Sequence, residues 1–170
     1  MHRHLSHLSE KEQKFIHNVY ILLKTYQQAA EELGVNISEI RQLNTDLDST
    51  WRPITKIRDR WKIKNVGGNF WDFYDWVQTT EKACHYCGIT EEELDCLHVI
   101  GLDNKRVTRG RTLEIDRKVA NEPYSNVKNL VYCCYWCNNA KTDTFSEEEF
   151  KIIGKAISQV WQKRLANDNR

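Results

Sequence analysis

Apolar positions in the first half of the chain recur at helical spacing. Phe15, Ile16, Val19, Tyr20, Leu22 and Leu23 form one broad face after Ser9 and Glu12, whose Ser-x-x-Glu spacing is that of a capping box, so a first helix is predicted here. Thr25 and Gln28 repeat that spacing, and the helix they open is predicted to end at Gly34. Asn36 and Glu39 cap a short third helix carrying Ile37, Ile40 and Leu43, and residues 46–50 read as loop.

The next stretch carries two periodicities at once. Pro53 suits the first turn of a helix that buries Ile54, Ile57 and Trp61. KIRDRWKIK also alternates, which would place Lys56, Arg58, Arg60, Lys62 and Lys64 on one face of a strand. Gly67-Gly68 ends either element, and Asn69 with Asp72 opens an aromatic helix through Val77. From Cys84 the character changes to two CxxC pairs, several turn signals and a strand-like TLEIDRK. A last helix is specified by the Ser146/Glu149 capping box and the Phe145/Phe150 staple, with Phe150, Ile153, Ile157, Val160 and Trp161 as its buried stripe. The expected division is a helical N-terminal region over 1–80 and a metal-stapled domain with a C-terminal helix over 81–170.

Composition narrows the class. Hydrophobic residues make up 40% of the 170, with six Trp, seven Tyr and five Phe, enough for a real core. A formal net charge of +1 favours no particular polyanion or polycation, so local clusters must carry that question. Apolar runs fall far short of the roughly 20 residues that span a bilayer, and MHRHLSHLSEKEQ lacks the apolar stretch of a secretory leader. A cytoplasmic chain with no membrane segment is therefore expected, and there reduced cysteines more often hold metal than pair.

Cys84/Cys87 (CHYC) and Cys134/Cys137 (CYWC) read as two knuckles, each offering two thiolates to one tetrahedral Zn²⁺. Glycine or asparagine directly follows each pair. Four thiolates leave no open position, so such a Zn²⁺ is structural and any chemistry lies elsewhere. Cys96 and Cys133 fall outside the spacing and read as core or surface thiols.

The segment LEIDRKVANEPYSNVKNLVYCCYWCNNAK, together with CHYCG upstream, resembles the core of the zinc-containing HNH endonucleases. The matching positions are Asp116, Tyr124, Asn129-Leu130, Cys134 to Cys137, Asn138 and Lys141, within about residues 84–150. The resemblance implies an α+β fold: a zinc-stapled ββα-metal core between a helical N-terminal region and a C-terminal helix. It implies hydrolysis of phosphodiester bonds in duplex DNA, with Asp116, Arg117, Asn129, Asn138 and Lys141 as catalytic residues. The side chains are consistent with that chemistry. Asp116 and Asn138 offer hard oxygens suited to Mg²⁺ or Mn²⁺, Lys141 can meet a phosphate as a point charge, and the Asn129 amide would hold the loop. A zinc module that binds nucleic acid or a protein without catalysis is the alternative, and RNA is a further possible substrate.

One position departs from the family pattern. Asp-His is usual, the His accepting the proton of the attacking water, whereas this chain has Asp116-Arg117. Arginine stays protonated at any workable pH and cannot take that role. Arg117 could instead bind phosphate, with His98, Glu114 or Tyr124 as candidate bases. Lys105, Arg106, Arg109, Arg111, Lys118 and Lys141 are the expected DNA contacts, since cations near a metal position a duplex through its phosphates. TYQQAAEELGVNISEIRQLN also fits a helix-turn-helix at 25–45 that would offer Arg41, Gln42 and Asn44 to bases, or else a bundle packing on the core.

Overall fold

The computed structural model describes residues 2–101 and 109–168, the last by its backbone alone. Lys105 and Arg106 lie outside the described residues. The chain forms two compact units, Met1–Gln78 and Thr79–Arg170.

The first unit is helical. Ser9 caps α1 (Glu10–Ile16) with both bonds of the capping box, and the helix runs on into a π-helical turn over His17–Ile21. Thr25 and Gln28 cap α2 (Tyr26–Leu33) reciprocally. Gly34 ends it at φ 65°, a left-handed conformation that glycine adopts without the Cβ penalty. Asn36 caps α3 (Ile37–Asp46). The loop expected at 46–50 is absent, because only Leu47 separates the end of α3 from the start of α4 (Asp48–Ile63). The 56–64 stretch is helical and not a strand. The reason is tertiary: Ile54, 2% exposed, and the partly buried Ile57 and Trp61 pack on the core formed by Phe15, Ile16, Ala29, Ala30 and Ile40. The basic residues are therefore spread around a helix. Asn69 accepts from Trp71 N at the start of α5 (Phe70–Thr79), which buries Phe70, Phe73, Tyr74 and Val77.

In the second unit the Cys84–Cys87 knuckle is closed by Gly88 N donating to Cys84 O (2.8 Å) and Cys84 N to Ile89 O (2.8 Å). Thr90 and Glu93 then form a capping box for α6 (Glu91–Val99). That Thr-x-x-Glu signal is plain in the sequence, and it places the base candidate His98 in the last turn of a helix. The strand-like TLEIDRK yields a shorter β1 (Glu114–Arg117), antiparallel to β2 (Leu130–Cys133) with Asp116 opposite Val131. His85 N donates to Tyr132 O (2.8 Å), tying the first knuckle to β2. Cys134 caps α7 (Tyr135–Lys141), and the Ser146/Glu149 box opens α8 (Glu147–Asp168). Phe150 and Trp161 of α8 are buried, but Val160 is 47% exposed. One turn after Phe150, Gly154 is buried as well: a Cβ there would meet Tyr86 O at 2.4 Å, so α8 lies directly on the knuckle backbone.

Candidate functional site

The site begins at the cysteines. One Sγ from each of Cys84, Cys87, Cys134 and Cys137 falls within 4.8 Å of every other, and all four residues are buried. Cys87 Sγ and Cys134 Sγ, from different knuckles, are 3.7 Å apart. A tetrahedral ion with Zn–S bonds of about 2.3 Å sets its sulfurs about 3.8 Å apart. The four thiols are free rather than disulfide-bonded and fit a structural Zn²⁺. Cys133 is buried beside them and Cys96 is exposed on α6.

This clamp fixes where α7 starts, because Cys134 is its cap and Cys137 lies in its first turn. Asn138, the next residue, follows on the same turn, with its N–H donating to Cys134 O (2.9 Å). On β1 the side chains alternate. Leu113 (just ahead of the strand) and Ile115 are buried, while Glu114 and Asp116 stand half-buried on the other face. α7 packs against β1. Asn138 Nδ2 donates to Glu114 Oε2 at 2.5 Å, and Lys141 Nζ lies 3.8 Å from Asp116 Oδ2. Two carboxylates, an amide and an ammonium thus share one cluster.

Lys141 requires a correction. It is 2% exposed, and its Nζ donates inward to Arg117 O (3.1 Å). A side chain so buried holds the strand and its carboxylate, and it does not extend to a phosphate. Arg117 also differs from expectation. Its guanidinium stacks over the Tyr124 ring at 4.6 Å and donates from Nη1 to Glu122 O (3.1 Å). Its Nε is buried without a hydrogen-bond partner among the described residues. Most of this arginine is therefore spent folding the 118–126 loop. Burial raises the pKa of Tyr124 and the Arg117 charge opposes it.

Asn129 is 4% exposed and closes the same loop at its base. Its Oδ1 accepts from Val119 N (2.9 Å) and its Nδ2 donates to Val119 O (3.0 Å). Of the expected phosphate contacts, Arg109 donates to Glu114 Oε1 from Nη2 (2.6 Å) and lies 4.9 Å over the Tyr135 ring. Arg111 pairs with Asp95 of α6. Both are exposed but engaged, so any phosphate would compete with a carboxylate. The half-buried Lys118 makes no side-chain hydrogen bond or ion pair among the described residues. Gly110 at φ 104° sits under Trp136, where a Cβ would come within 2.9 Å of the ring. In the first unit, Asn44 faces inward and accepts from the hydroxyls of Tyr20 and Tyr26, so it is not offered to a nucleic-acid base.

Sequence reasoning missed the central place of Glu114, which receives both Asn138 and Arg109. The period-two pattern of β1 already put it on the face of Asp116, but nothing local indicated what lay across from it.

Fold and site together define a helix-rich α+β chain in which a hairpin and the helix after it are clamped by a four-cysteine group able to hold zinc. A solved structure similar to it is described as the rare-cutting HNH restriction endonuclease PacI, at 28% identity over 64% of this chain and 76% of that one, with a TM-score of 0.49. No family model matches the chain, and no curated protein shows a significant match. Among the described residues, no helix is long and apolar enough to cross a membrane.

Proposed function

We propose that the chain is a metal-dependent endonuclease of the HNH type, hydrolysing phosphodiester bonds in duplex DNA at the cluster on β1 and α7. The observation that carries this reading is the packing of α7 across the open face of β1. A helix clamped at its first residue by thiolates sets Asn138 and Lys141 against Glu114 and Asp116.

The donor set suits a hard divalent cation. Asp116 brings a half-buried carboxylate. Asn138 spends its amide nitrogen on Glu114, while its oxygen accepts no hydrogen bond among the described residues. Asp116 and Asn138 would hold Mg²⁺ or Mn²⁺, which when bound polarises the scissile phosphate and stabilises the leaving oxygen. The remaining roles belong to the protein. Lys141 sets its ammonium beside Asp116 and pins the strand backbone. Asn129 fixes the loop, and Arg117 positions Tyr124 on it. Glu114 already holds Asn138 and Arg109, so it serves as an orienting group rather than a proton acceptor. Tyr124 and His98 are the remaining candidates for that step. Lys118, and Arg109 and Arg111 by exchanging their carboxylate partners, would contact phosphates without reading sequence.

The test is conversion of supercoiled plasmid to nicked or linear DNA with Mg²⁺ or Mn²⁺, abolished by chelation and by Asp116→Ala. Cleavage by Tyr124→Phe and His98→Gln ranks the two base candidates. Retardation of the plasmid without cleavage would favour a non-catalytic zinc module. Cleavage confined to a labelled RNA would change the substrate.

A further inference from the structure

The first unit carries a second cluster of metal-donor side chains. His2 caps a 3-10 turn (Arg3–Leu5) that contains His4, and both face Asp75 of α5. His4 Nε2 lies 2.6 Å from Asp75 Oδ1, and His2 Nε2 lies 3.5 Å from Asp75 Oδ2. One donor atom from each residue falls within 4.8 Å of the other two. The rings are held in place by neighbours. His2 stacks on Trp71 at 4.4 Å and 15°, and the Tyr74 ring meets His4 edge-on at 5.2 Å. None of these residues has a part in the phosphodiester chemistry proposed above.

We propose that His2, His4 and Asp75 form a binding site for a divalent transition cation of the Zn²⁺ class. Two imidazoles with one carboxylate are borderline donors that suit zinc, nickel or cobalt and disfavour Mg²⁺ or Ca²⁺. Donors bound at about 2.0–2.1 Å in a tetrahedral array stand about 3.3 Å apart. The two imidazoles approach different oxygens of the Asp75 carboxylate, at 3.5 Å and 2.6 Å, and with all three donors within 4.8 Å of one another small side-chain rotations bring them to that spacing. The long contact from His4 N to His2 Nδ1, at 3.5 Å, is given up cheaply if that nitrogen must carry the proton.

The competing arrangement is an ion-pair staple, with Arg3 Nη2 at 3.2 Å from Asp75 Oδ2. Arg3 is 65% exposed, so that pair is screened and readily exchanged. His2 also lines a cleft of about 510 Å³ with Leu5, Gln13, His17 and Trp71, so the cluster is approached from its His2 side. In the wall of that cleft Gln13, 6% exposed, has its Oε1 without a hydrogen-bond partner among the described residues, an acceptor that a water in the cleft would satisfy.

The experiment is titration of the full chain, isolated with its thiolate-bound cation in place, with Zn²⁺ and Co²⁺, followed by calorimetry and elemental analysis. Two equivalents per chain in total, the thiolate-bound cation included, are expected in the wild type. His4→Ala and Asp75→Asn should each weaken the second equivalent by more than about tenfold and leave the first intact. Arg3→Ala should tighten it by up to about fivefold, the worth of one exposed ion pair. Co²⁺ in the second site should add visible bands without the near-ultraviolet thiolate-to-cobalt transition. His2→Ala serves as the ligand variant if either of the others loses helical circular dichroism. A single equivalent in the wild type, or a second one indifferent to all three ligand substitutions, would overturn the proposal.

Discussion

Lys141→Met isolates the interaction that organises the candidate site. The substitution keeps the length and the apolar stem of a side chain that is 2% exposed, so no large cavity forms, and only the ammonium is lost. Two partners lose it: Arg117 O, which accepts at 3.1 Å, and Asp116 Oδ2 at 3.8 Å on a side chain 16% exposed. At 3.8 Å the gross attraction between unit charges is about 4 kcal/mol at an effective dielectric constant near 20. Desolvation of the ammonium offsets much of that. Adding the hydrogen bond to Arg117 O leaves a net loss of about 2–4 kcal/mol. At about 4–8 °C per kcal/mol for a unit of this size, the thermal transition of the Thr79–Arg170 unit should fall by roughly 10–30 °C. The double variant Asp116→Asn/Lys141→Met should be less unstable than the summed singles by about 1–3 kcal/mol, because the second change removes the charge stranded by the first. The measurement is guanidinium unfolding of all four proteins, followed by near-ultraviolet circular dichroism. A Lys141→Met cost under about 0.5 kcal/mol, or additive singles, would show that the lysine does not sustain the carboxylate.

Three further outcomes are expected. Chelation of the cation held by Cys84, Cys87, Cys134 and Cys137 should unfold the second unit and leave the helical signal of Met1–Gln78, because the clamp is what joins α7 to the first knuckle; an unchanged near-ultraviolet spectrum after metal release would contradict this. Gly154→Ala should cost about 1–3 kcal/mol in denaturant unfolding, since a Cβ at 2.4 Å from Tyr86 O pushes α8 off the knuckle. Arg117→His should lower stability by about 1–3 kcal/mol and reduce plasmid cleavage, by releasing Glu122 O and Tyr124; a rise in cleavage would mean that the arginine is only a tolerated departure from the usual His.

Signals that act over one or two helical turns were legible in the residues. Ser9/Glu12, Thr25/Gln28 and Ser146/Glu149 satisfy backbone groups within three residues of themselves, and Gly34 adopts a conformation most residues resist. Thr90/Glu93 carries the same signal and opens α6. The 56–64 stretch suited both a helix and a strand. The core of the first unit decided between them, because Ile54, Ile57 and Trp61 reach one apolar surface only at helical spacing.

By itself the sequence determined the helix caps, the paired cysteines and the strand carrying Glu114 and Asp116, each a matter of neighbours a few residues apart. Only the tertiary structure decided that Lys141 turns inward, that Arg117 is spent on Tyr124 and Glu122, and that Asn138 meets Glu114. Those contacts join groups brought together by a hairpin and a thiolate clamp. The free energy of a charge or amide depends on what faces it across that gap, which no local pattern encodes.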